Sequence, residues 1–87
     1  MLEMTGELIG LEVYTPKGIF VGKVAEMGFD LNNKRVDGII IDDMNPAVAE
    51  HNIILNIPFE WISAIGDVIL LKRFPEKVLR DGTLQGL

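Results

Sequence analysis

Three consecutive isoleucines inside Arg35–Asp43, read as RVDGIIIDD, constrain the fold more than any other stretch of the chain. Neighbouring side chains of a strand point to opposite faces, so Ile39, Ile40 and Ile41 need apolar cover on both sides. The segment therefore reads as a central strand. Val36, Gly38 and Ile40 share one face by parity, and Ile39 and Ile41 share the other. Ile39 and Ile41 are expected on the outer face, because their parity opposes the sets read as inward.

Ile, Leu and Val supply 28 of the 87 residues. A small closed barrel has an interior just wide enough for side chains to fill, so it cannot hold them all. The surplus predicts a second buried surface, read here as a protein interface, with Ile54 joining Ile39 and Ile41 in it. The rival cover is the loop at 43–52 or the C-terminal tail. Thirteen acidic against eight basic side chains give a net charge of −5, which repels phosphate backbones and argues against a nucleic-acid partner. With no cysteine, disulfides and thiolate chemistry are excluded, and the composition suits a reducing cytoplasm. The first residues lack the basic flank and apolar run of a signal peptide, and no apolar run reaches membrane-spanning length. A cytoplasmic protein with no direct membrane insertion is the expectation.

Along the chain, Gly10–Tyr14 alternates as a short first strand, and Thr15-Pro16-Lys17-Gly18 is a turn with Gly18 free to take a positive φ. Ile19–Leu31 is a long strand whose pattern changes phase: Phe20, Gly22 and Val24 have one parity, Met27, Phe29 and Leu31 the other. A bulge near Ala25-Glu26 would reconcile them and bend the strand. Asn32-Asn33-Lys34 reads as a hairpin loop, since asparagine tolerates the left-handed conformation. Residues 43–52 form a polar loop around Pro46, and 53–57 a fourth strand with Ile53, Leu55 and Ile57 inward. Pro58 starts a helical turn. Ser63–Ile65 and Val68–Leu71 form a last hairpin across Gly66-Asp67. Pro75 to Gly82 carries a helix-start proline and a helix-stop glycine, so the tail either docks as a short helix or frays. The division is a barrel domain over 1–73 and a tail over 74–87.

No stretch assembles catalytic chemistry. Gly18–Lys23 is one residue short of a phosphate loop, has no Ser or Thr after the lysine, and continues as a strand at Val24 where a helix should begin. Asp42, Asp43, Glu50 and His51 flank one loop with oxygen and imidazole donors, but nothing in their spacing makes them converge on a cation. His51 has no cysteine to activate. Neither a metal nor a cofactor is expected. Phe59 and Trp61 are candidate aromatic anchors, Trp61 with a competing role in closing the barrel end. Val78 and Leu79 add apolar groups beyond the last strand.

Gly10-x-x-Val13, Gly18-x-x-x-Gly22-Lys23-Val24, Arg35-Val36, Ile57-Pro58-x-x-Trp61-Ile62 and Gly66-Asp67-Val68-Ile69, in this order over residues 8 to 73, resemble the PRC-barrel family. Related barrels occur in the photosynthetic reaction centre H subunit and in the ribosome-maturation factor RimM. The resemblance implies an all-β, six-stranded antiparallel barrel without an active site, acting as an adaptor. Stand-alone archaeal members imply a homodimer in cell division, with SepF or another PRC-barrel protein as partner and a link to the FtsZ ring. The rival functions are a ribosome-maturation factor and a regulatory subunit of a metabolic enzyme. The 43–52 loop and the tail lie outside the shared pattern.

Overall fold

The computed structural model describes residues 7–86. Its eight strands are β1 (Glu12–Tyr14), β2 (Phe20–Asp30), β3 (Arg35–Asp42), β4 (Leu55–Pro58), β5 (Ile62–Ile65), β6 (Ile69–Leu71), β7 (Lys77–Val78) and β8 (Leu84–Gln85). A 3-10 turn, Phe59–Trp61, joins β4 to β5, with Pro58 at its start as the sequence predicts.

The first six strands make one sheet in the order β4-β3-β2-β1-β6-β5. An antiparallel closed barrel is corrected in two respects: β1 and β6 run parallel, and no ladder joins β4 to β5. Both follow from the 3-10 turn. It carries the chain from one sheet edge to the other, so the β5–β6 hairpin arrives from the far side and lays β6 alongside β1 in the same direction. Since only Phe59–Trp61 separates β4 from β5, the edges lie within about 14 Å of each other at the turn. Pro58 has no N–H to donate to a closing ladder.

The bulge expected in β2 is present. Val24 pairs with Ile41 and Glu26 with Ile40, leaving Ala25 as the extra residue. Cross-strand partners share a face, so Val24 and Met27 join Ile41 and Ile39 on the inside, while Glu26, Ile40 and Asn56 form an outward row. Ile39 and Ile41 are completely buried, with Val13, Val21, Val24, Ile57, Ile69 and Leu71 in the same core. Their predicted outward placement is thereby corrected. A second bulge, between Gly28–Gly38 and Phe29–Val36, makes Asp37 extra on β3 and breaks the parity between Val36 and Ile40. The polar neighbours of Ile40, not its own character, mark the outer face.

Gly38 has no room for a side chain. A Cβ there would press on the Ile57 carbonyl and lie 2.6 Å from Asn56 Oδ1. Gly38→Ala is expected to push β4 off β3 and lower stability by roughly 1–3 kcal/mol, as overpacking does. Urea denaturation followed by circular dichroism checks this, and an unchanged midpoint would refute the contact.

The β1–β2 turn closes as expected: Gly18 has φ +81°, and Thr15 Oγ1 accepts from the N–H groups of Lys17 and Ile19. The 43–54 segment is tied to β2, because Asn45 donates its N–H to Val21 O (2.8 Å) and its Nδ2 to Phe20 O (2.7 Å). This sets Val48 and Ala49 into the interior. The tail then covers the loop. Val78 N–H donates to Val48 O (2.8 Å), and Glu50 N–H to Val78 O (2.9 Å). The segment after Pro75 is thus neither a short helix nor frayed but a β-hairpin, β7–β8, turned at Asp81-Gly82 with Gly82 at φ +92°. Backbone groups that a helix would use internally are spent on the loop, and tertiary pairing overrides the local helix signals.

Candidate interaction surface

The seven residues read from the sequence as interface separate into three groups. Ile39, Ile41 and Val78 are inside the protein, so no partner reaches them. Val78 is held there by the loop, which supplies both its backbone partners. Trp61 is half-buried and packs edge-on against Phe74, with ring centroids 6.3 Å apart and planes at 89°, which suits the role of closing one end of the core. Ile54 and Phe59 are exposed, and Leu79 is half-buried at the rim of the tail.

Ile54 is 71% exposed at the foot of β4. It stands between two shallow depressions. One, of about 400 Å³, is lined by Asp42, Asp43, Met44, Glu50, His51 and Ile53 among others. The second, of about 340 Å³, brings Leu79 and Leu84 of the tail to Ile53–Leu55. The four acidic and imidazole candidates thus share a depression without forming a metal set: among the described residues no three His, Asp or Glu side chains come together as one. Glu50 Oε1 instead accepts the Arg80 N–H at 2.6 Å, and the His51 carbonyl accepts from Arg80 Nε at 3.3 Å, both fastening the tail. Gly18–Lys23, the stretch closest to a phosphate loop, is turn and strand, and Gly22 makes space for Ile41, whose Cγ2 would lie 2.7 Å from an added Cβ.

Sequence reasoning missed two exposed apolar features. One is a lateral row across the outer sheet, Ala64–Leu70–Tyr14–Phe20, visible only once the register is known. Tyr14 and Phe20 meet edge-on at 5.7 Å, and the Tyr14 hydroxyl donates to Glu12 Oε1, which raises its pKa. The other is the far end of the β2–β3 hairpin. Both strands outrun their neighbours there: β4 pairs with β3 only from Gly38 to Ile41, so the hairpin from Phe29 to Val36 projects as an arm. On it Leu31 is 78% exposed and Phe29 54%. The phase change in the sequence contained the signal, but only strand lengths show that Phe29 and Leu31 pass the end of the core.

The arm's turn is built, not loose. Asp30 Oδ1 accepts from the N–H groups of Asn32 (2.9 Å) and Asn33 (3.3 Å), and Asp30 Oδ2 accepts from Asn33 Nδ2 (2.7 Å). The left-handed residue is Lys34, φ 54°, rather than an asparagine. The Asn33 hydrogen bonds, chiefly that of its side chain, hold the Asp30 pKa below its usual value. A depressed carboxylate pKa means stability present above the unfolded value and lost as pH falls through the folded one. Asp30→Ala is therefore expected to lower the thermal midpoint at neutral pH, with the gap from the parent closing in acid below the folded-state pKa. A gap constant from pH 7 to pH 2 would show that the carboxylate charge is irrelevant to the turn.

The PRC-barrel domain profile matches residues 5–78. The chain belongs to the PRC-barrel family. No curated protein matches it. The match runs through the 43–52 loop and into β7, so in this PRC-barrel the loop and the first tail strand fall within the family's span. Among the described residues, no helix is long and apolar enough to cross a membrane.

Proposed function

We propose that this PRC-barrel is a non-catalytic adaptor, a homodimer that holds other proteins at the site of archaeal cell division, with SepF, and through it the FtsZ ring, as the partner. One observation carries the adaptor reading. Large apolar side chains, Leu31, Ile54 and Phe29, stand in solvent on ordered strands and turns, where an interaction protein keeps its anchors. The cell-division part rests on the resemblance of the glycine and Ile57-Pro58-x-x-Trp61-Ile62 motifs to the PRC-barrel family, which has stand-alone archaeal members in cell division, and it sets the expected location at the cytoplasmic division site. Against the ribosome-maturation alternative stands the net charge of −5, which RNA would repel.

Mixing the purified protein with purified SepF at micromolar concentrations tests the proposal. Co-elution of the two in gel filtration is the expected result. Failure to associate, with both proteins folded, would remove the cell-division reading.

A further inference from the structure

We propose that the β2–β3 arm is the homodimer contact, its apolar tip packing on the same surface of a second copy around a two-fold axis. This rests on the homodimer reading above and adds where the two copies meet. A two-fold contact needs a patch that complements itself, and an apolar patch free of net charge does so. The arm meets both conditions. Between Phe29 and Asp37 the charged residues are Asp30, Lys34, Arg35 and Asp37, two of each sign, so the arm is neutral in a chain that carries −5. Two copies repel through the rest of their surfaces and not here.

The area approaches what a standard face needs. Besides Leu31 and Phe29, Phe59, 39% exposed, follows immediately on the Gly38–Pro58 pair at the root of the arm. Together with half-buried Val36 they offer on the order of 300 Å² of apolar surface per copy. That lies at the lower end of the range for the largest apolar patch of a typical monomer, and is about two-thirds of the apolar share of a standard face of roughly 800 Å². The hydrogen bonds from Asn32 and Asn33 to Asp30 fix the turn in advance, so little ordering remains for association to cost. Neither other apolar feature serves as well. Ile54 is bordered by Asp42, Asp43 and Glu50, which a two-fold axis would bring against their own copies. On the Ala64–Leu70–Tyr14–Phe20 row, Tyr14 and Phe20 are already half covered.

The test uses the absence of cysteine from the full chain. Sedimentation velocity of the parent should show a dimer at micromolar concentration, and Leu31→Asp should weaken it at least tenfold with an unchanged thermal midpoint. Under mild oxidation Leu31→Cys should form a disulfide-linked dimer, whereas Ile54→Cys, equally exposed but off the arm, should stay monomeric on a non-reducing gel. A dimer that survives Leu31→Asp, or that cross-links through Ile54→Cys and not Leu31→Cys, overturns the arm and leaves the homodimer reading standing. A parent that is monomeric at 100 μM, roughly 10⁻⁴ M and therefore below about 5.5 kcal/mol of association, overturns both. Loss of SepF capture by Leu31→Asp while the dimer persists would assign the arm to the other protein and overturn the proposal.

Discussion

Ile39→Lys yields no folded protein; that is the expected result, where an outer-face isoleucine would have given a soluble chain. Ile39 has no solvent exposure and lies between Met27 of β2 and Ile57 of β4 in the ladders. Lysine there forfeits about 1.5–3 kcal/mol of burial and adds several kcal/mol for desolvating an ammonium with no counter-charge. The sum rivals the roughly 5–15 kcal/mol that holds a domain together. Two graded controls make the result readable. Ile39→Ala should stay folded but lose about 2–5 kcal/mol in urea denaturation. Ile54→Lys, on a side chain already 71% in water, should move stability by no more than about 0.5 kcal/mol. A cooperative Ile39→Lys melt at the parent temperature would return this residue to the surface.

The same residue shows where sequence reading stops. That residues 35–42 form a strand inside the sheet was legible from the three adjacent isoleucines, but cover on both faces is corrected: Ile40 points outward, half-buried, between exposed Glu26 and Asn56. The β2 bulge was legible too, since Val24 and Met27 have opposite parity and both belong inside. The face was not. It depends on which residues of β2 and β4 lie opposite, and on the Asp37 bulge, which leaves no mark in the pattern of Arg35–Ile41. The tail failed for a related reason. Pro75 and Gly82 are correct as local punctuation, but the partners of Val78 are Val48 and Glu50, about thirty residues away, and no local propensity reports them. Of the interface candidates, Ile54 and Phe59 kept their exposure and Leu79 is half-buried, while Phe29 and Leu31 surfaced only with the strand lengths.

Truncation after Arg73 is expected to destabilise the domain by about 2–4 kcal/mol, not to leave a barrel that lacks an accessory. Phe74 packs on the core against Trp61, and Pro75 and Val78 are buried. That β7–β8 is ordered means its packing outweighs the entropy of fixing it. Its removal also strips cover from Val48 and Ala49, which are buried from the other side of the same contact. Val48 belongs to the main core cluster, so the damage reaches the core instead of stopping at the loop. Trp61 is the chain's one tryptophan and loses its Phe74 neighbour, so its fluorescence should shift to longer wavelength together with the fall in midpoint. Val78→Ala should move the midpoint the same way by about 1–2 kcal/mol while leaving the emission maximum in place, because it thins the loop contact without uncovering the ring. A truncated chain with the parent's urea midpoint and tryptophan emission would mean that β7–β8 rests on the domain without supporting it.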